Sequence, residues 1–196
     1  MVTLDKAVSV TYQWPAQGAW TYEDYARLPD DGWRYEIIGG ELHMSPAPNG
    51  EHQSIVAALV HLLREYVRRH ELGRVLLAPI DVILPDLASP VQPDVVVILK
   101  ANLGIIQQRV EGVLDLVIEV LSPATARHDR TTKYQLYAEA GVSEYWIIDP
   151  AAKAAGIYVR RGNGFVPLGH YERGGEIHSE LLPALRLPFD ELLADA

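Results

Sequence analysis

The stretch Asp115–Pro150, DLVIEVLSPATARHDRTTKYQLYAEAGVSEYWIIDP, decides the fold. It contains an apolar run, a Ser-Pro turn, a helical segment and a second apolar run. This order of strand, helix and strand is typical of a domain in which helices cover a central sheet. One carboxylate, Glu119, stands in the middle of the first apolar run, and Lys133 stands on the apolar stripe of the helix. Two charges therefore occupy positions where an ordinary core has none.

The rest of the chain completes a single domain of the α/β (α+β) class, with a mixed central sheet flanked by helices. Residues 1–20 are expected to be a lead-in, and residues 21–193 to be the domain itself. We expect extra β-hairpins at the N- and C-terminal ends, the first of them around the Gly39-Gly40 turn. The other expected elements are helices over residues 21–28, 49–72 and 125–140, strands over residues 74–84, 94–99, 112–121 and 144–148, and short strands with a final helix after residue 150.

The composition excludes several classes of protein. The chain has no cysteine, which removes disulfides and thiolate metal sites. It has no run of about 18 apolar residues that would predict a transmembrane helix, and its first residues lack the pattern of a signal peptide. We therefore expect a cytoplasmic protein without membrane contact. The formal net charge of -9 argues against a strongly basic nucleic-acid binder, but it permits an enzyme with a local basic groove.

Glu119 and Asp94 are the first candidates for a metal site. The run around Glu119 is apolar on both faces, as in a strand buried on both sides, and an unpaired carboxylate there would be strongly unfavourable. A proton, a cation or a metal must compensate it, unless it lies at the strand end and pairs with an arginine or a loop. Asp94 opens a similar Val/Ile run, where a carboxylate on its own is more often only a turn or edge residue. Because neighbouring strands lie about 4.8 Å apart, the two carboxylates could share a divalent cation, and oxygen ligands favour Mg²⁺ or Mn²⁺.

Lys133 shares one helix face with apolar residues that follow it, so its side chain is expected to point toward the sheet. There it could stabilise a negative transition state or a hydroxide nucleophile. The alternatives are an i,i+4 pair with Asp129 and a stem that keeps its ammonium in water. Glu36, before the Gly-Gly turn, is either a further ligand or a residue on the hairpin face. His52 lies on the inner side of the second helix, where a histidine is usually a hydrogen-bonded core residue.

Six segments of the chain together resemble one protein family. Between about residues 21 and 193 they are similar to the Uma2 family, also called DUF820, of the PD-(D/E)xK restriction-endonuclease-like superfamily. The most specific part is the block 115–150; the hairpin and the His-Gln pair are weaker on their own. The six segments are Tyr35–Leu42, His52-Gln53, Gln92–Val95, Ile118–Thr125, Asp129–Tyr137 and Gly141–Pro150.

The resemblance implies a metal-dependent endonuclease that hydrolyses phosphodiester bonds in nucleic acid, with DNA favoured. It places Asp94 and Glu119 on Mg²⁺ (or Mn²⁺) and gives the carbonyl of Val120 as a further ligand. Glu36 then corresponds to the early acidic residue of the family's site. Enzymes of this class often pair to cut two strands, so a homodimer is a further implication.

One position departs from the superfamily pattern. The usual lysine, two residues after the second acid, is here Leu121. Lys133 on the following helix is its replacement, and the family's own pattern shows the same relocation. The resemblance therefore implies a catalytic set of Glu36, Asp94, Glu119 and Lys133. Three other polar residues of the stretch are interpreted as structural: Asp129, Tyr137 and Asp149.

Two other functions stay open on the sequence. A catalytically idle module could keep the nuclease fold for binding or assembly; the acidic total favours this, and two clustered carboxylates count against it. A hydrolase of other substrates could use two carboxylates, as glycosidases do. That second function explains Asp94 and Glu119 but gives Lys133 no role.

Overall fold

A computed structural model describes residues 12–194, so residues 1–11 of the expected lead-in lie outside the described part. Within it the helices are α1 (Tyr22–Tyr25), α2 (Gly50–Arg69), a 3-10 helix (Lys100–Ile105), α3 (Ala126–His128), a π-helical turn (Asp129–Lys133), α4 (Tyr134–Ala140) and α5 (Phe189–Leu192). The strands are β1 (Arg34–Ile38), β2 (Glu41–Ser45), β3 (Gly73–Leu77), β4 (Val82–Leu84), β5 (Ala88–Val91), β6 (Val95–Leu99), β7 (Val110–Glu111), β8 (Leu116–Val120), β9 (Glu144–Asp149), β10 (Ala154–Arg161), β11 (Gly164–Glu172), β12 (Glu176–Ile177) and β13 (Leu187–Pro188).

A six-stranded mixed sheet, in the order β11-β10-β9-β8-β6-β3, forms the centre of the molecule. β8 and β9 are parallel, and the helical segment from α3 to α4 supplies the crossover that parallel strands need. β6 and β8 are antiparallel, and their register pairs Val95 with Ile118. Asp94 and Glu119 each lie one position further along this register. The sheet therefore brings the two candidate carboxylates side by side.

Both faces of this sheet are covered. On one face, α2 and α5 pack on alternate residues of β6, β8 and β9. On the other face lie α4 and a second, five-stranded sheet in the order β2-β1-β5-β4-β7. Every residue of β8 is buried as a result, which is the environment predicted by a run with apolar residues on both faces. The predicted mixed α/β (α+β) architecture, with hairpins at both ends, is confirmed.

Local sequence signals fix several of these elements. Thr21 and Asp24 form a complete capping box at the start of α1. Asn49 caps α2, where its Oδ1 accepts a hydrogen bond of 2.9 Å from the backbone N–H of His52. The Gly39-Gly40 turn joins β1 to β2 in the expected hairpin. Across residues 12–194, none of the helices has both the length and the apolar character needed to cross a membrane.

The expected strand over residues 74–84 is wrong, because the chain forms two strands there. β3 ends at Leu77 and β4 begins at Val82, and they belong to different sheets. Pro79 lies between them and has no N–H to donate to a strand partner. The strand expected over residues 112–121 begins only at Leu116, and β5 was not expected at all.

The helix expected over residues 125–140 forms as α3, a π-helical turn and α4 without a break. The middle piece, Asp129–Lys133, buries its first and last residues. A π turn holds one more residue than an α turn, and such turns are often found at functional sites. The turn therefore sets the angle at which both charged side chains enter the interior.

Gly73 marks the point where β3 lies closest to β6. A Cβ atom on Gly73 would lie 2.0 Å from the carbonyl oxygen of Ile98, which is backbone and cannot move aside. We expect Gly73→Ala to lower the free energy of unfolding by about 2 kcal/mol or more, measured by urea denaturation. Gly104→Ala is the control, because a Cβ there meets nothing within 4 Å. Equal denaturation midpoints for the two variants would contradict this close approach.

Candidate active site

A cavity of about 220 Å³ lies where the β1–β2 hairpin, the start of α2, the adjoining ends of β6 and β8, and the π-helical turn come together. All four catalytic candidates from the sequence line it. The cavity wall includes four carboxylates and two fixed cations, namely Glu36, Asp94, Glu119, Asp129, Arg34 and Lys133. The charges that stood out in separate parts of the sequence thus face one space.

Asp94 and Glu119 form the centre of this cavity wall. They are only 3% and 1% exposed, respectively. The backbone N–H of Asp94 lies 3.4 Å from Glu119 Oε2, and the backbone N–H of Val120 donates to Asp94 Oδ2 at 2.9 Å. The structure therefore brings the two carboxylates and Val120 together. That these groups bind a metal ion stays a prediction.

Lys133 places its ammonium among the carboxylates. Lys133 Nζ donates to Glu119 Oε1 at 2.9 Å and lies 3.0 Å from Glu36 Oε1. Asp129 Oδ1 lies 3.8 Å from the same nitrogen, so the i,i+4 neighbour also contributes its charge. Burial alone would lower the pKa of Lys133, but the surrounding carboxylates outweigh burial and raise it. The side chain is therefore an ammonium ion at neutral pH.

Glu36 enters the cavity from β1 and is buried. Its Oε1 accepts a hydrogen bond of 2.7 Å from the backbone N–H of Gln92 and lies 3.0 Å from Lys133 Nζ in an ion pair. His128 Nε2 lies 3.9 Å from the other oxygen, Oε2. Burial and the Lys133 charge lower the pKa of His128 to about 4, so its ring is neutral at pH 7. His128 is therefore a neutral neighbour of Glu36 and not a cationic one.

Arg34 and His52 complete the surroundings of Asp94, and neither was assigned a role from the sequence. Arg34 Nη1 donates to Asp94 Oδ1 at 2.9 Å, and His52 Nε2 donates to Asp94 Oδ2 at 3.0 Å. Burial would raise the pKa of Asp94, but the hydrogen bond and charge of His52, with the charges of Arg34 and Lys133, lower it to about 2. Asp94 is therefore a carboxylate under all ordinary conditions.

His52 is buried and hydrogen-bonded, as expected for a core histidine, but its partner is a candidate metal ligand. The signal in the sequence was its place on the inner side of α2, close to the helix start. Arg34 carried no comparable signal, since it is the first residue of β1 and lies among residues of mixed polarity. Of the residues interpreted as structural, Asp149 pairs with Arg130 and does not line the cavity.

Tyr137 and Asp129 were also interpreted as structural, and both reach the site. The Tyr137 hydroxyl donates to Glu119 Oε1 at 2.8 Å. Asp129 is 2% exposed and lines the cavity. Burial, reinforced by the other carboxylates and opposed by Lys133, raises the pKa of Asp129 to about 6.

Negative charge is in excess in this cavity. Burial, with repulsion from the other acids, raises the pKa of Glu119 well above its usual value despite the Lys133 charge. Asp129 Oδ1 on the cavity wall has no hydrogen-bond partner. Oxygen donors with surplus negative charge fit a divalent cation of the Mg²⁺ type. Within residues 12–194, no three acidic or histidine side chains are arranged to enclose an ion by themselves, so water or backbone would have to complete its coordination.

The hydrogen bond from Tyr137 to Glu119 can be tested by removing one atom. Tyr137 is fully buried, so Tyr137→Phe leaves Glu119 Oε1 with one donor fewer in a dry setting. We expect the free energy of unfolding to fall by about 1 to 2 kcal/mol in urea denaturation. Tyr158→Phe is the control, because the described residues offer its hydroxyl no hydrogen bond; it should stay within about 0.5 kcal/mol of the wild type. A loss as small for Tyr137→Phe would contradict a strong bond here.

Comparison with models of protein families matches residues 22–190 to Uma2, described as "Putative restriction endonuclease". The chain belongs to the Uma2 family. The resemblance found in the sequence is thereby confirmed over the whole span of the site. Among solved structures, this Uma2 protein is similar to the crystal structure of "a putative nuclease belonging to DUF820" from Anabaena variabilis.

The two proteins share 20% sequence identity and superpose with a TM-score of 0.74, over 89% of this chain and 98% of that one. At this identity the likeness shows the fold alone. A search among curated proteins finds no match. The site of this Uma2 protein must therefore be interpreted from its own residues.

Proposed function

We propose that this Uma2 protein is a divalent-cation-dependent endonuclease that hydrolyses phosphodiester bonds in nucleic acid, with DNA favoured. The observation that carries the proposal is the convergence of Asp94, Glu119 and Glu36 around the Lys133 ammonium in one cavity. The family's description and the restriction-endonuclease-like fold support this reaction class.

Asp94 and Glu119 would hold the cation, Mg²⁺ or Mn²⁺. The N–H of Val120 faces Asp94, and in a strand the N–H and C=O of one residue point to the same neighbouring strand. This placement supports the Val120 carbonyl as a further ligand. When bound, a divalent cation supplies a water of lowered pKa and stabilises negative charge on the phosphate.

Lys133 would act as a hydrogen-bond donor rather than as a base. Its neighbouring carboxylates raise its pKa, so it has no tendency to give up a proton at neutral pH. A fixed ammonium at this position can orient the attacking oxygen and neutralise charge that develops on the phosphate. Glu36, at 3.0 Å, and Asp129, at 3.8 Å, also pair with the ammonium, and Tyr137 donates a hydrogen bond that orients Glu119 itself.

A homodimer is part of the proposal, because one such site acts on one strand at a time and duplex cleavage needs two. Light scattering of the protein, alone and with duplex DNA, measures the molar mass of the particle and so the number of chains in it. We expect the mass of two chains on the duplex.

A second candidate function is supported by the contacts of Asp94. Both of its oxygens already accept hydrogen bonds from protein groups, namely Arg34, His52 and the N–H of Val120. Such a satisfied carboxylate also fits a catalytically idle module that uses the fold for binding. This module would bind no divalent cation at Asp94 and would cleave no nucleic acid.

Purified protein incubated with supercoiled plasmid and Mg²⁺ or Mn²⁺ tests the proposal. We expect nicked and linear products, no products with EDTA, and a rate at least about 100-fold lower for Asp94→Asn. Asp190→Asn is the control, because Asp190 is exposed on α5 and does not line the cavity. Cleavage by Asp94→Asn at the wild-type rate would contradict the assignment. If the protein cleaves neither plasmid, single-stranded DNA nor RNA, with or without a divalent cation, the idle module is favoured.

A further inference from the structure

Arg34 is placed differently from the other groups that contact Asp94. The N–H of Val120 is part of the sheet, and the His52 side chain is only 5% exposed beneath the start of α2. The Arg34 side chain is 23% exposed and lines the cavity, with its guanidinium 2.9 Å from Asp94 Oδ1. Of these three groups, Arg34 is therefore the one that can leave Asp94 toward solvent without breaking the sheet or the core.

A divalent cation and Arg34 compete for the same carboxylate. A ligand oxygen must offer a free lone pair to the metal, and a guanidinium within hydrogen-bond distance also repels a second positive charge. The departure of Arg34 frees Asp94 Oδ1 and removes that repulsion. Three further carboxylates, those of Glu36, Glu119 and Asp129, then make the cavity still more favourable for a dication.

Resting on the endonuclease function proposed above, we propose that Arg34 is a substrate-binding residue that exchanges Asp94 for a phosphate of the nucleic acid when the cation binds. Arg34 and Glu36 are separated by two positions in β1, so their side chains leave the same face of the strand, toward the cavity. A guanidinium at a cavity mouth matches the paired oxygens of a phosphodiester. In the free protein the guanidinium stays paired with Asp94.

The exchange couples the two ligands. Nucleic acid draws Arg34 away from Asp94 and so strengthens cation binding, and the cation strengthens nucleic-acid binding by the same factor. If Arg34 served only to hold Asp94 in place, the effect of its loss on cation binding would have the opposite sign. Its loss would leave Asp94 less well held, which would weaken cation binding and lower stability without a specific effect on nucleic acid.

Arg34→Met separates these two roles, because methionine keeps an unbranched apolar stem without the charge. Isothermal titration of the whole protein with Mn²⁺ alone should give a Kd about tenfold lower than in the wild type. Fluorescence anisotropy with a labelled DNA duplex in Ca²⁺ should give an affinity at least about tenfold weaker. Arg161→Gln is the control, since Arg161 pairs with Glu180 outside the cavity. Both of its affinities should match the wild type.

Unchanged or weaker Mn²⁺ binding by Arg34→Met would overturn the exchange, and unchanged DNA affinity would overturn the phosphate contact. If thermal melting shows that Arg34→Met is unfolded, Arg34→Lys takes its place. That variant keeps the charge, so its Mn²⁺ affinity should stay near the wild type while DNA binding weakens; unchanged DNA binding again overturns the contact.

Mn²⁺ titration of Glu119→Gln distinguishes a failure of the Arg34 exchange from a failure of the proposed endonuclease function. If Glu119→Gln binds Mn²⁺ as the wild type does, the metal site itself is wrong. If Glu119→Gln loses Mn²⁺ but Arg34→Met gains no affinity, only the Arg34 inference fails. Absence of Mn²⁺ binding in both the wild type and Arg34→Met overturns both.

Discussion

Replacing Lys133 with methionine is expected to abolish cleavage and to destabilise the protein by about 4 kcal/mol at neutral pH. Methionine fills a similar volume but leaves Glu119, Glu36 and Asp129 buried without the ammonium that lies 2.9 to 3.8 Å from them. Removal of one partner from a buried ion cluster costs more than the cluster's net contribution, because the remaining charges stay desolvated. Plasmid cleavage and urea denaturation measure the two effects.

The stability loss of Lys133→Met should depend on pH. Burial raises the pKa of Glu119 and of Asp129, and the Lys133 charge opposes that rise; with Lys133 present, the pKa of Asp129 is about 6. Without Lys133 both values rise further above those of the unfolded chain, so the folded state holds the extra protons. Stability then falls as pH rises through this window. The deficit relative to the wild type should be small at about pH 5 and largest above about pH 7.

Lys100→Met is the control for this experiment, because Lys100 is exposed and lies outside the cavity. It should show neither the loss of activity nor the pH-dependent deficit. A deficit of equal size at both pH values for Lys133→Met would mean that its stem, rather than its charge, supports the fold.

Glu119→Gln should reduce cleavage by about 1000-fold while leaving stability unchanged or higher. The amide keeps the shape of the side chain but provides one neutral oxygen in place of an anionic carboxylate, so cation binding is lost. The pKa of Glu119 is raised well above its usual value by burial and by the other acids, so its ionised form is unfavourable in the folded state. Lys133 still contacts Glu36 and Asp129 in the variant.

The pH dependence of Glu119→Gln follows from the same raised pKa. The wild type loses stability as pH rises and Glu119 must ionise, and the variant lacks this loss. The difference between them should therefore move in favour of the variant as pH increases. Glu144→Gln is a matched control: Glu144 is equally buried in β9, but it binds Trp146 and backbone N–H groups away from the cavity. It should keep its activity, and a strong loss there would indicate a general sensitivity to buried charge.

Apart from the family resemblance, which contributed Glu36, the candidate site was predictable from the sequence where a charge stands within or at the start of an apolar run. Asp94, Glu119 and Lys133 stand in segments whose burial follows from their pattern, so their charges demanded an explanation. Arg34 lies in a segment of mixed polarity, and its contact with Asp94 depends on how the hairpin crosses the central sheet. That placement is a tertiary result which no local spacing encodes.

The strands show the same limit. The apolar run of β8 predicted that this segment is a strand buried on both faces, because its apolar residues fall on both sides of the strand. The segment over residues 74–84 has comparable apolar content, yet it divides between two sheets at Pro79. Periodicity measures burial well, but it does not reveal which sheet a strand will join.

The π-helical turn has a consequence for how this segment tolerates change. Because an α-helix turns about 100° per residue, deleting one residue from Asp129–Lys133 would swing α3 and its flanking loop around the axis relative to α4. Substitutions within the turn alter one side chain each, whereas a deletion would misalign the whole wall of the cavity against the sheet. The number of residues in this five-residue turn is thus a stricter requirement than the identity of most of them.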